Sequence, residues 1–298
     1  MNVVVIGAGG FLGGYLCLQF LKRGHNVVGY DILPPQIESK RITFFKHDII
    51  SDPIEITSGV DCVFYLAQSP YYRSFPEGID HLMAVNSLGP VNAAAAAVKA
   101  GAKFYCFAST GNVYAHSFES LSEESDLNRK NPYSLSKIIA EEALDLFRNY
   151  MIVVSVRLFG IFGRGQRNNL PADLLNAIKT GRRIELEPSL LDPSDEGGLK
   201  LSFIYVEDVV HCLVLLTRLA FEEITLPSRV NVAGPEPISI RRFAETIGRM
   251  LSKKPAFEVS KRIREFDLIA DISRLQSLIS PTFTPLVEAM TQTYGSKI

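Results

Sequence analysis

Six short, nearly continuous apolar runs, separated by longer stretches with helical periodicity, constrain this 298-residue chain more than any other feature. The runs are Asn2 to Ile6, Asn26 to Tyr30, Ile42 to Lys46, Val60 to Leu66, Lys103 to Ala108 and Met151 to Arg157. Apolar runs of that length without alternation suit strands buried on both faces. Helical patterns lie between them, at Phe11 to Arg23, Pro76 to Ala100 and Asn131 to Tyr150. Strands alternating with helices at this spacing predict parallel βαβ units, and hence an α/β fold with a doubly wound parallel sheet. Gly24, Gly101 and Gly181 each follow a helical pattern, where a left-handed cap residue belongs.

After about Arg157 the rhythm loosens. Gly160, Gly163, Gly165, Pro171, Pro188, Pro193 and the Gly197-Gly198 pair interrupt it. Further helices are expected at Pro171 to Thr180, Val206 to Phe221, Ile240 to Ser252, Ser273 to Ser280 and Pro285 to Tyr294, and Glu187 to Lys200 reads as a long acidic loop. The expected division is a first domain over 1–165, with segments at about 203–233 returning to it, and a smaller C-terminal α/β lobe over 166–298.

Charge narrows the partners. With 31 basic against 32 acidic side chains and no basic block, the chain lacks the long-range field that non-specific binding to nucleic acid or an anionic membrane requires. An anionic ligand therefore needs a local grip. Val209 to Phe221, the longest apolar stretch, is too short to cross a bilayer, and the N-terminus lacks the pattern of a secretory signal. Cys17, Cys62, Cys106 and Cys212 are far apart with apolar neighbours, and neither they nor the five histidines show metal-ligand spacing. The expectation is a cytoplasmic protein without a metal.

Three local patterns carry chemistry. Gly7-Ala8-Gly9-Gly10-Phe11-Leu12-Gly13 stands directly after a strand and before a helix, where glycines let backbone approach a pyrophosphate and the helix N-terminus faces it. A glycine-rich turn alone fits a plain tight turn equally well. Asp31 ends the second strand, 18 residues after Gly13, where a carboxylate accepts both ribose hydroxyls of an adenosine and repels a 2′-phosphate. That favours NAD over NADP, while a turn role for Asp31 stays open. Tyr133 and Lys137 lie four apart near the start of a helix, so phenol and ammonium share a face. A cation beside a phenol lowers its pKa towards that of a general base, although such a pair also occurs by chance on surface helices. Ala108 to Tyr114 ends the fifth strand, and Ser109 or Thr110 could donate a hydrogen bond to the same substrate oxygen.

Taken in order, these patterns resemble the extended short-chain dehydrogenase/reductases of the NAD-dependent nucleotide-sugar epimerase/dehydratase family, to which UDP-galactose 4-epimerase belongs. The likeness also takes in His47-Asp48-Ile49, Tyr65-Leu66-Ala67, Asn86 to Gly89, Arg157 to Gln166, Asn168 to Pro171, Phe203 to Val210 and Ala270 to Ser273. It implies a Rossmann domain with a substrate lobe, and NAD held by Gly7, Gly10, Phe11, Leu12, Gly13, Asp31, Asp48, Ile49, Leu66, Ala67, Gln68, Asn86 and Lys137. It further implies Thr110, Tyr133 and Lys137 as the catalytic set. The implied reaction is epimerisation of a nucleotide sugar through a transient 4-keto intermediate, in a homodimer. A reductase or dehydrogenase on the same scaffold, or a non-catalytic NAD-binding protein, is the alternative. Departures concern the substrate. Gly111 and Asn112 stand where dehydratases carry an Asp-Glu pair, Gly160 replaces an asparagine, and Leu201 replaces a diphosphate-binding arginine. Asn169 and Arg264 remain as the implied substrate-binding residues.

Overall fold

A computed structural model describes residues 1–295 apart from 36, 38, 167, 168 and 223; Asn168 of the family pattern thus lies outside the described residues. The apolar runs form strands β1 (Asn2–Ile6), β2 (Asn26–Asp31), β3 (Ile42–Lys46), β4 (Cys62–Tyr65), β5 (Phe104–Thr110) and β6 (Ile152–Leu158). With Arg229–Val232 they build a seven-stranded sheet in which β1 lies between β2 and β4, followed outward by β5, β6 and the seventh strand. All five pairings among β1 to β6 are parallel. Every residue of β4 and β5 is buried, as continuous apolar runs require, whereas β3 at the edge is largely exposed. The order reverses between β1 and β4, and beside such a switch point the carboxyl ends of the strands open a crevice.

Helices α1 (Phe11–Lys22), α2 (Ile79–Met83), α3 (Gly89–Ala100) and α4 (Pro132–Leu144) follow the expected patterns with two departures. Asn131 to Tyr150 is α-helical only to Leu144 and continues as a 3₁₀ helix, Asp145–Asn149. Pro76 to Ala100 is not one continuous α-helix. A π turn, Ala84–Leu88, separates α2 from α3. Its cause is Pro90, which has no N–H to bond the Asn86 carbonyl and whose ring crowds the preceding turn. The Tyr65 hydroxyl donates to the Val85 carbonyl at 2.6 Å and that of Tyr105 to the Pro90 carbonyl at 2.7 Å, so side chains of β4 and β5 satisfy the disturbed backbone.

The chain divides into two compact units. One comprises Met1–Tyr114, Asp126–Leu158 and Val210–Val230; the other comprises Ala115–Ser125, Phe159–Val209 and Asn231–Ile298. The first unit therefore ends at 158 rather than 165, its returning segment is shorter than expected, and 115–125 belongs with the second. That second unit contains α5 (Leu170–Thr180), α7 (Ile240–Met250), α8 (Ser273–Ile279), α9 (Leu286–Tyr294) and three two-stranded sheets, while α6 (Val206–Phe221) runs from one segment list into the other. Its core stacks Phe203 on Phe243 at 4.1 Å with Phe162 edge-on to Phe243 at 5.5 Å. Gly101 and Gly181 cap α3 and α5 in the left-handed conformation, φ 80° and 75°. No helix among the described residues is long and apolar enough to cross a membrane.

Helix α4 starts abruptly. The Asn131 side chain accepts from the Ser134 amide at 3.1 Å, and Pro132 occupies the first turn, where its missing N–H costs nothing. Asn131→Ala is expected to lower unfolding free energy by about 1 kcal/mol, read as a lower urea midpoint with unchanged slope.

Candidate active site

The glycine turn is built as a cradle. Gly7 has φ 91°, and a Cβ there would lie 2.6 Å from the Ala67 amide nitrogen; a Cβ on Gly13 would run into the Gly7 carbonyl. Larger residues would thus push the start of α1 away from β1 and the loop after β4. No side chain caps α1, whose N-terminal amides follow Gly10. Asp31 at the end of β2 accepts from the Gly9 amide through one carboxylate oxygen and from the Leu33 amide through the other, each at 3.0 Å. This holds the carboxylate against the glycine turn. A turn that no Cβ could share, an uncapped helix N-terminus and a carboxylate on the adjacent strand fit a dinucleotide with an unphosphorylated adenosine ribose.

Two further residues expected at the cofactor keep the nearby loops in shape. Asp48 accepts from the Ile50 amide at 3.0 Å. Asn86, fully buried in the π turn, accepts from the Ser69 amide at 3.0 Å and donates to Ser136 at 3.2 Å, tying the loop after β4 to α4. Gln68 instead meets the candidate base, accepting from the Tyr133 hydroxyl at 3.0 Å. Leu66, Ala67 and Gln68 directly follow β4, with the Leu66 amide donating to the Ile6 carbonyl at 2.8 Å.

Around Tyr133 the two alternatives at the end of β5 separate. Thr110 hydrogen-bonds the Tyr133 hydroxyl, and its own oxygen accepts from the backbone and side-chain nitrogens of Asn112 at 3.2 and 3.1 Å. Ser109 points elsewhere and donates to Glu141 at 2.5 Å. Thr110 is therefore the hydroxyl available to a ligand oxygen. Tyr72, from the loop after β4, lays its ring 5.4 Å from that of Tyr133, and the Arg73 guanidinium stands 5.1 Å from the Tyr72 ring.

The electrostatics depart from expectation. Burial pushes the Tyr133 phenol up to about 12; the Thr110 hydrogen bond pulls it back and Tyr72 adds to the rise. Burial brings Lys137 down to about 7, with Glu141 opposing. Lys137 Nζ donates to the Ala108 carbonyl at 2.9 Å and lies 4.8 Å from the Phe107 ring. The expected depression of the phenol is thus absent from the protein alone, because desolvation acts on phenol and ammonium together. Burial also pushes the thiols of Cys17, Cys62 and Cys106 up, away from nucleophilic reactivity.

In the second unit, Asn169 caps α5, its side chain accepting from the Ala172 amide at 3.0 Å. Arg264, the other residue expected at the substrate, is enclosed within its own unit. Its buried guanidinium pairs with Asp195 and Asp267, each at 3.0 Å, and donates to the Gly198 carbonyl at 2.5 Å. Burial pushes Asp195 up, but hydrogen bonds from Lys200, the Gly197 amide and Arg264 outweigh it and hold the carboxyl at about 2. Asp195 is shared between Arg264 and Lys200, whose Nζ approaches it to 2.8 Å. Leu201 is equally committed: it is a buried strand residue paired with Ile238. At Gly160 a Cβ would meet the Phe203 backbone at 3.1 Å, which explains why a larger residue is missing there.

Sequence reasoning gave no role to Glu141, on the candidate catalytic helix itself, or to Arg157 and Arg229, which pair with it. Glu141 is four residues beyond Lys137, the same spacing that singled out Tyr133 and Lys137. Among the described residues no group of three or more potential metal ligands is present.

Known proteins place this geometry. A protein of Bacillus subtilis named as an uncharacterized UDP-glucose epimerase, YtcB, is 26% identical over 94% of this chain and 92% of its own length. The sterol-4-alpha-carboxylate 3-dehydrogenase of Mus musculus is 25% identical over 97% of this chain and 81% of its own. Among solved structures, UDP-glucuronic acid 4-epimerase from Bacillus cereus, in complex with UDP-glucuronic acid and NAD, superposes with a TM-score of 0.81 at 21% identity, covering 99% of this chain and 98% of that one. The model of the NAD dependent epimerase/dehydratase family matches residues 3–269, and to that family this chain belongs.

Proposed function

We propose that the chain is an NAD-dependent 4-epimerase of a nucleoside-diphosphate sugar, a UDP-hexose or UDP-hexuronic acid. The observation that carries this reading is the trio Thr110, Tyr133 and Lys137, placed at the carboxyl end of β5 and the start of α4 in a chain of this family. Tyr133 removes the proton of the sugar 4-hydroxyl, and Thr110 donates a hydrogen bond to the same oxygen. Lys137 favours the phenolate while it carries its proton. Oxidised NAD, when bound, supplies a positively charged ring and a reversible hydride acceptor, so the sugar leaves with no net change of oxidation state. Gly7, Gly10, Gly13 and the first amides of α1 hold its pyrophosphate, Asp31 its adenosine ribose, and Lys137 its nicotinamide ribose. Asp48 and Ile49 meet the adenine, Leu66, Ala67 and Gln68 the nicotinamide side, and the Asn169 amide a substrate phosphate.

Dehydration is disfavoured by the loop after Thr110. Gly111 and Asn112 supply no carboxylate, and the Asn112 side chain is engaged with Thr110 itself. A second reading, net dehydrogenation of a hydroxy compound, draws on the steroid-acting relatives and on Leu201, which offers no cation to a diphosphate. We further place the protein in the cytoplasm, where its four buried free cysteines stay reduced, and pair it with a second copy through the exposed Leu88, Ile139 and Leu146 on and beside α3 and α4.

With UDP-glucose and UDP-glucuronic acid as substrates, proton NMR should show the 4-epimer accumulating without NADH absorbance. Stoichiometric NADH instead would overturn epimerisation in favour of the dehydrogenase. Tyr133→Phe should lower kcat by about 10²- to 10⁴-fold while NAD affinity, from fluorescence titration, stays unchanged; normal turnover would remove Tyr133 as the base.

A further inference from the structure

Helix α4 carries a ladder of polar groups at four-residue spacing: Tyr133, Lys137, Glu141 and, at its end, Asp145. Residues four apart lie one above the next on a helix, so each faces its neighbour along the axis. The first two rungs belong to the candidate active site. The third is a carboxylate with essentially no solvent. Four donors reach it from three strands. Ser109 of β5 donates to Oε1 at 2.5 Å, and Arg157 of β6 donates through Nη2 to Oε2 at 2.6 Å and through Nε to Oε1 at 3.1 Å. Arg229 of the seventh strand donates through Nε to Oε2 at 3.1 Å and with its Nη2 pairs to Asp145 at 2.8 Å. Arg157 also lies 4.8 Å from the Tyr114 ring.

Such a cluster is expensive to build for stability alone, since well-packed apolar side chains of similar volume do as well or better. Its location supplies another reason. Lys137 is almost wholly buried, and of the contacts around it, the Ala108 carbonyl and the Phe107 ring give it only partial negative charge. Desolvation favours its neutral form; the carboxylate of Glu141 opposes that. The other titratable groups on elements packed against α4 are Asp80 and His81 of α2, the latter held by Ser69; Lys99 of α3, which is exposed; Tyr105 and Cys106 of β5, both buried, the tyrosine donating to the Pro90 carbonyl; and Arg148 just beyond α4, which donates to the Val153 and Leu226 carbonyls. Asp145 is shared with Arg229.

We propose that Glu141 is a positioning residue whose carboxylate, clamped by Ser109, Arg157 and Arg229, keeps Lys137 an ammonium so that it can support Tyr133 as a base. The part played by Tyr133 rests on the epimerase reading above; the charge on Lys137 does not. The two arginines set a limit: they orient the Glu141 carboxylate, and they also draw off part of its field. Glu141 and Arg229 consequently act on Lys137 with opposite signs.

That opposition makes the test. In protein labelled with ¹³C at lysine Cε, the resonance that Lys137→Met removes reports Lys137 directly, with or without added NAD. Glu141→Gln should move its titration midpoint down by about one pH unit or more, and Arg229→Gln should move it up. A cluster that merely braces the fold would shift both the same way or neither, and either outcome overturns the proposal. Should Glu141→Gln fail to fold, Arg229→Gln alone decides, because only an upward shift agrees. In turnover assays Glu141→Gln should lower kcat at neutral pH with KM little changed. If the titrations behave as stated and no nucleotide sugar is epimerised, the assignment of function fails while the role of Glu141 towards Lys137 stands.

Discussion

A buried lysine nitrogen, Lys137 Nζ, is the constraint on which the first unit depends. Taking a cation out of water is costly unless acceptors surround it. The chain meets that cost with a backbone carbonyl at the end of β5, an aromatic ring from the same strand and a carboxylate one helical turn away. Each of these requires α4 to lie at one height along the sheet. The Asn131 cap and Pro132 fix where the helix begins, and Arg157 and Arg229 fasten Glu141 to β6 and the seventh strand. The helix that carries the candidate base is held at both ends by polar contacts and between them by packing on the sheet.

The π turn at Ala84–Leu88 serves the same arrangement from the opposite side. An α-helix running straight through Pro90 would lose a hydrogen bond and meet the proline ring. The wider turn avoids the clash and sets Asn86 and Ser87 against α4, where Ser87 donates to the Ser136 carbonyl at 2.8 Å and Asn86 to the Ser136 hydroxyl. Because Asn86 also accepts from the Ser69 amide, the loop that delivers Gln68 and Tyr72 to Tyr133 is registered on the same helix. Three strand ends and two helices thus converge through hydrogen bonds of buried side chains, which fix direction as apolar packing cannot.

Much of this was legible in the residues. The strands of the first unit follow the apolar runs closely because central parallel strands are buried on both faces, and period and composition then coincide. Glycine spacing located the cradle since no other residue fits beside Ala67. Less legible were features decided by partners distant in the chain. Whether Ser109 or Thr110 faces a ligand depends on Glu141, 32 residues beyond Ser109. The phenol at Tyr133 was expected to fall and instead rises, because burial, which spacing along the helix does not reveal, disfavours the charged form of the phenol itself.

Arg264 illustrates the same limit in the second unit, with a consequence for how this protein handles anions. A near-neutral chain has to hold a charged ligand locally, and an arginine is the obvious instrument. Here the long acidic loop brings Asp195 onto that arginine, and Asp267, three residues along, takes another side of it. The Gly198 carbonyl accepts from it as well, so the loop is ordered by the very cation that a phosphate would need. Asp195 is also held by Lys200 at 2.8 Å and by the Gly197 amide, so the arginine is one of three partners that order this loop. Backbone amides, which a neighbouring carboxylate cannot neutralise, offer an anion a different grip, and the glycine cradle at the start of α1 presents them.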